Sequence, residues 1–169
     1  ILYLASGLLN DRTNETDNAR KDLSESIKLS HPNDLTYYLS NIRLAEIERR
    51  LGKSDEAEKY YSAAISRYSR RFKTENFREK LLWLINYYEQ AGEKNSAKGN
   101  FKTASEIYDK YINIITQMHN KRLYPEIYSE YAPRAHVLYI DAYSTLKGEN
   151  GLIGLEKKYF KNLNVLRMD

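Results

Sequence analysis

"LGKSDEAEKYYSAAISRY", residues 51–68, decides the fold. Gly52 breaks whatever precedes it, and Ala57, Tyr61, Ala64 and Tyr68 then follow at steps of three and four residues. That spacing lines one stripe of a helix. Alternating small and aromatic side chains on one stripe lets a neighbouring backbone come close at the alanines, while the rings fill the space beside the contact.

The arrangement recurs. From Asn41 the chain reads Asn41, Leu44, Ala45 and Glu48, then Gly52, then Ala57, Tyr61 and Ala64. From Tyr88 it reads Tyr88, Ala91, Gly92 and Asn95, then Gly99, Phe101, Ala104, Tyr108 and Tyr111. From Tyr3 it reads Tyr3, Ser6, Gly7 and Asn10, then Ala19, Leu23 and Ser26, with Pro32 closing the unit. In each case the first anchor and the later alanine are sixteen residues apart: 3 to 19, 41 to 57 and 88 to 104. The pattern predicts antiparallel helix pairs, with Leu23, Tyr61 and Tyr108 filling the space four residues beyond the alanines. The turns fall in "LNDRTNETDN" (9–18), "LGKSDE" (51–56) and "AKGNFK" (97–102), with Asp17, Ser54 and Asn100 expected as helix N-caps. Each pair alone leaves an apolar face in water, so pair must stack on pair.

These units resemble tetratricopeptide repeats, whose signature is W-x2-L-G-x2-Y, then A-x3-F, then P. The resemblance covers roughly residues 1–117; Tyr3, Asn41 and Tyr88 stand where the signature has tryptophan, and Trp83 lies outside the motif. It implies an all-α, right-handed α-solenoid of about three helix pairs, over residues 1–34, 35–74 and 75–120, in one domain. A degenerate C-terminal pair over 121–169 would cap it, Tyr139, Leu155 and Tyr159 keeping the sixteen-and-four spacing. Starting at Ile1, the chain reads as a piece of a longer protein. In this family the first helices of successive pairs line a concave surface that holds a peptide. Matching the pattern places Leu4, Leu8, Ile42, Glu46, Arg49, Glu89 and Glu93 there. The resemblance therefore implies a non-catalytic interaction or assembly scaffold with a polypeptide partner. The Lys and Asn with which one subgroup grips a terminal carboxylate are missing from the matching places, so an amphipathic or basic segment is expected instead. Packing against further repeats is the competing reading of the same residues.

The alanines are 38 and 47 residues apart, both more than the family period of about 34. The larger excess falls in "SRYSRRFKTENFREKLLWLINYY" (66–88), which is expected to form lengthened helices around a break near "KTEN". Beyond residue 117 a stripe of Tyr124, Tyr128, Tyr131, Ala135, Tyr139, Ala142 and Leu146 predicts another helix, Pro133 marking its start or a kink. "GENG" (148–151) reads as a turn and "LEKKYFKNLNVL" (155–166) as a last amphipathic helix.

Composition agrees with helices: 41% apolar, 30% charged, only 7 Gly and 3 Pro among 169 residues. Sixteen Tyr against four Phe suit thin layers, where a ring fills a seam and its hydroxyl reaches water. Without Cys there is no disulfide, thiolate metal site or cysteine nucleophile, and the compartment stays open with the cytoplasm slightly favoured. "ILYLASGLL" is too short to span a bilayer and reads as a core helix.

No chemical motif stands out. His31, His119 and His136 have no metal-ligand spacing, and His136 reads as a packing histidine. "GENGLIG" (148–154) lacks the strand and the Lys-Ser/Thr of a phosphate loop. No cofactor is expected. Glu89 and Glu93, at i and i+4, repel slightly unless a cation lies between them. The best alternative function is polyanion or nucleic-acid binding through residues 66–80, where Arg67, Arg70, Arg71, Lys73, Arg78 and Lys80 alternate with Tyr68, Phe72 and Phe77. Against it, those rings are wanted in the seam and Glu75 and Glu79 dilute the charge.

Overall fold

The structure, a computed structural model, describes residues 1–69, 72 and 76–148. Among them lie seven helices and no strand: α1 (Leu2–Arg12), α2 (Thr16–Leu29), α3 (Leu35–Arg50), α4 (Ser54–Arg67), α5 (Phe77–Ala97), α6 (Phe101–Asn120) and α7 (Pro125–Lys147). Two compact units divide within α5, one comprising Ile1–Tyr87 and the other running from Tyr88.

The small-and-large pairing holds each helix pair together. Ala19, Ala57 and Ala104 are fully buried, and so are Leu23, Tyr61 and Tyr108 four residues on. A Cβ added to Gly7 of α1 would sit 2.7 Å from Leu23 Cγ of α2. One added to Gly92 of α5 would sit 2.9 Å from Cδ1 of Tyr108 on α6, and nearer still to the far side of that ring. The notch in the first helix and the bulky residue in the second are thus one contact, and they set how closely the backbones approach.

One turn geometry joins the partners of all three pairs. After α3, Gly52 takes φ +73° and its N–H bonds Arg49 O at 3.0 Å, while the Lys53 N–H reaches Glu48 O at 2.9 Å. After α5, Gly99 (φ +75°) bonds Ser96 O and Asn100 bonds Asn95 O, both at 2.9 Å. After α1, Asn14 (φ +61°) plays the glycine's part and Glu15 bonds Asn10 O at 2.8 Å. This is the Schellman C-terminus, with its left-handed residue and its six-to-one bond.

The turn corrects the expected N-caps. The residue that closes the six-to-one bond is also the N-cap of the next helix, so the caps of α2 and α4 are Glu15 and Lys53. Asp17 and Ser54 lie inside the first turns; Asn100 is the N-cap of α6, without a side-chain cap bond. Backbone closure fixes the cap position and leaves side-chain preference no say.

The long interval between the second and third alanines also resolves differently from the expectation. α2 and α4 both have 14 residues, so α4 is not lengthened. The stretch from α4 to α5 is 68–76, nine residues, against five (30–34) from α2 to α3, a gain of four. α5 starts eleven residues before its anchor Tyr88, whereas α3 starts six before Asn41, a gain of five. Four and five account for the difference between 47 and 38. α6, at 20 residues, outgrows its counterparts at its C-terminal end.

Aromatic rings close the seams. In the first unit Tyr38 of α3 lies 5.6 Å from Tyr68 and 5.5 Å from Phe72, and Tyr68 stacks on Phe77 at 3.7 Å. Trp83 packs 4.9 Å from Tyr61 and stacks on Tyr87. In the second unit α7 starts with Pro125 in its first turn and carries Pro133 in its interior. The expected turn at 148–151 beyond Gly148, and the helix after it with Leu155 and Tyr159, lie outside the described residues.

Candidate functional site

On α3 the buried residues Tyr38, Asn41, Ile42, Ala45 and Glu48 leave one open stripe, Leu39, Arg43, Glu46 and Arg50. The expected Glu46 is on it, half-buried, and Arg49 is exposed at its edge. Ile42 is only 7% exposed and packs rather than opening to solvent. On α1, Leu8 is half-buried, and Leu4 packs against the cluster of Ala19, Leu23, Leu44 and Ile47. Arg43 and Arg50 were missed because the family pattern directs attention to the positions beside them; a helical wheel of the α3 buried set would have found both.

The charges on these stripes pair across helices. Asp11 of α1, its side chain nearly buried, holds Arg50 of α3 and lies 3.8 Å from Arg43. Arg43 also reaches Glu46 at 2.9 Å, and Lys80 of α5 reaches the other Glu46 oxygen at 3.2 Å. In the second unit Glu89 of α5 is paired with Arg134 of α7, which also lies 3.5 Å from Glu93. The cation needed to offset repulsion between Glu89 and Glu93 is therefore supplied by the next first-type helix, a signal too distant in sequence to read. Each acidic group expected to meet a basic partner lies beside a cation of its own unit, Glu46 beside Arg43 and Lys80, and Glu89 and Glu93 sharing Arg134.

A further ion pair is buried on the opposite side. Glu48, its side chain 2% exposed, accepts from Arg20 Nε of α2 at 2.7 Å; its second carboxylate oxygen has no partner among the described residues. Burial raises the Tyr61 phenol to about 12; Arg49 lowers it, and Glu46 and Glu79 add to the rise. Tyr87 is pushed up by burial and by its hydroxyl donating to Asp55 Oδ1 of α4 at 2.7 Å.

Of the basic segment, Arg70, Arg71 and Lys73 lie outside the described residues. Arg67 and Arg78 are exposed, and Lys80 is committed to Glu46. Tyr68, Phe72 and Phe77, the rings on which bases would stack, are buried. The histidines serve packing and local hydrogen bonds. The Asn33 N–H donates to His31 Nδ1, His119 stacks on Tyr128 at 4.1 Å, and His136 Nδ1 lies 2.7 Å from the Ala132 carbonyl oxygen. Among the described residues no three His, Asp or Glu side chains gather to hold a metal, and no helix is long and apolar enough to cross a membrane.

Antiparallel pairs, notch-and-ring contacts and a recurring Schellman turn define an all-α helical repeat protein. Residues 39–70, which span α3 and α4, match the family model described as tetratricopeptide repeat. That match, together with the helix pairs on either side of it, supports a tetratricopeptide-like repeat fold. Repeats of this family generally mediate protein–protein interaction and are typically non-enzymatic scaffolds. Neither the curated proteins nor the solved structures contain a match to the chain.

Proposed function

We propose that this protein is a non-catalytic interaction scaffold that holds a polypeptide segment along the open stripes of its first helices. In the first unit Leu4, Leu8, Glu46 and Arg49 contact the segment, with Ile42 packed behind them; in the second unit, taken by itself, Glu89 and Glu93 are the corresponding contacts. The observation that carries this reading is the open stripe of α3: Leu39, Arg43, Glu46 and Arg50, with Arg49 at its edge, stay at the surface while Ser40, Asn41, Ile42, Leu44, Ala45, Ile47 and Glu48 are packed away. Apolar and charged groups mixed on a rigid helical face suit recognition of a peptide by pockets and charge together.

The test is capture of partners by the intact chain with and without Glu46→Ala and Arg49→Glu combined. Neither residue belongs to the buried core, so helicity by circular dichroism should stay unchanged while capture falls at least about tenfold. Undiminished capture of every partner by the double variant would remove the site assignment. Nucleic-acid binding draws no support from the buried rings of the 66–80 segment; if it occurred, it would show as affinity for oligonucleotides that falls steeply with salt.

A further inference from the structure

Charge is balanced differently in the two units. In the first, three cations, Arg43, Arg50 and Lys80, serve two carboxylates, Asp11 and Glu46. In the second, two carboxylates of α5, Glu89 and Glu93, share one cation, Arg134 of α7, which reaches both through Nη2. The Glu89 side chain is only 12% exposed, whereas that of Arg134 is 60% exposed. A carboxylate so withdrawn from water needs a cation beside it at all times. An arginine so open to water gives up little on leaving.

A second observation lies in the same place. Tyr111 of α6 is fully buried, and its hydroxyl has no hydrogen-bond partner among the described residues. The groups that act on that hydroxyl are Glu89 on α5 and Arg134, Tyr131 and Glu130 on α7, so its oxygen lies among the members of the ion-pair cluster. A buried hydroxyl that bonds nothing is costly to keep. Arg134 stays on the two carboxylates and leaves it unserved, although a guanidinium has five N–H donors in a planar fork, enough for two carboxylates and a phenol oxygen together.

We propose that Arg134 holds the place of an arginine of the bound segment. The incoming guanidinium displaces Arg134 from Glu89 and Glu93 and donates as well to the Tyr111 hydroxyl oxygen, uncovered when Arg134 swings into solvent. A lysine ammonium would carry the charge but not the fork, so the site selects arginine. In the free protein Arg134 keeps Glu89 paired; in the presence of a segment it is a competitor that lowers the apparent affinity. The inference rests on the peptide-holding reading of Glu89 and Glu93, and adds to it the side chain they select.

The experiment titrates the full, isotope-labelled chain with N-acetyl-argininamide at millimolar concentration and follows the amide signals of residues 89–93 and 130–134 by NMR. The shifts should saturate, and N-acetyl-lysinamide should bind at least about threefold more weakly. Arg134→Gln, which removes the internal competitor, should tighten argininamide binding at least about threefold. Tyr111→Phe removes only an oxygen that bonds nothing, so the fold stands, yet binding should weaken at least about threefold. Glu106→Gln, at an exposed position on α6, should leave it unchanged. General attraction of cations to the surface would respond to Glu106 and not to Tyr111. Shifts that do not saturate, equal affinity for lysinamide, no tightening by Arg134→Gln, or indifference to Tyr111→Phe overturns the proposal. Capture with the Glu46 and Arg49 variants reads the first unit alone. Saturable argininamide binding with undiminished capture therefore keeps this site and removes the first-unit assignment, and lost capture without saturable binding does the reverse.

Discussion

Gly7 and Gly92 show how one missing methyl group can set the distance between two helices. The same glycine that costs helix propensity, about 1 kcal/mol relative to alanine, admits a leucine or a tyrosine ring from the partner helix. Gly92→Ala tests which effect is larger. The new Cβ would land inside the contact surface of the Tyr108 ring, and that ring is 1% exposed with no open side to swing into. Overpacking of this kind costs about 1–3 kcal/mol, which exceeds the gain in propensity. Chemical denaturation should therefore show a net loss of about 1–2 kcal/mol. A stabilised Gly92→Ala variant would mean that the notch does not control the helix spacing. This contact was legible in the sequence, because Gly7 with Leu23 and Gly92 with Tyr108 stand sixteen residues apart and carry the size difference on their faces. The ion pairs were not. Asp11 with Arg50, Glu46 with Lys80 and Glu89 with Arg134 join helices from different pairs, and charges common on every surface give no sign of which will meet.

At the scale of the element, the helices end where backbone hydrogen bonding can close a turn. Three of the first helices stop at a left-handed residue, and the following residue both closes the old helix and caps the new one. The glycines at 52 and 99 announced two of these stops in the sequence; Asn14 did so less plainly, because asparagine also serves many other turns. Cap positions were misread for the same reason, since side-chain preference points to Asp17 and Ser54 while the turn has already consumed Glu15 and Lys53. Gly52→Ala separates backbone from packing. No atom lies within 4 Å of the Cβ it would add, yet its φ of +73° penalises any side chain. The expected loss is about 1 kcal/mol in urea denaturation, with the slope of the transition unchanged. It is similar in size to the Gly92→Ala loss and opposite in cause: strain without contact in one, contact without strain in the other.

At the scale of the whole molecule, tyrosines take places that leucine and phenylalanine hold in an ordinary core, and among the described residues that choice fixes the response to alkali. Tyr38, Tyr61, Tyr88, Tyr108 and Tyr111 are all fully or nearly fully buried. A phenol ionises near 10 in the unfolded chain, and burial of the charged form is unfavourable, so the folded value rises, for Tyr61 to about 12. Tyr87, Tyr108, Tyr111 and Tyr139 shift in the same direction, each with burial as the main cause. The folded state then holds its phenolic protons more tightly than the unfolded state. Stability from this source is complete below pH of about 10 and falls as pH climbs through the folded values, Tyr61 alone accounting for about 2 kcal/mol by pH of about 12. Thermal unfolding followed by circular dichroism should therefore give a Tm that holds steady up to about pH 10 and then drops steeply. Tyr61→Phe removes one of these responses, so its Tm should fall less over the same range than that of the parent chain. Equal slopes in the two proteins would show that Tyr61 is not held neutral by burial, and the tight seam between α4 and its neighbours would have to be looser than the fold requires.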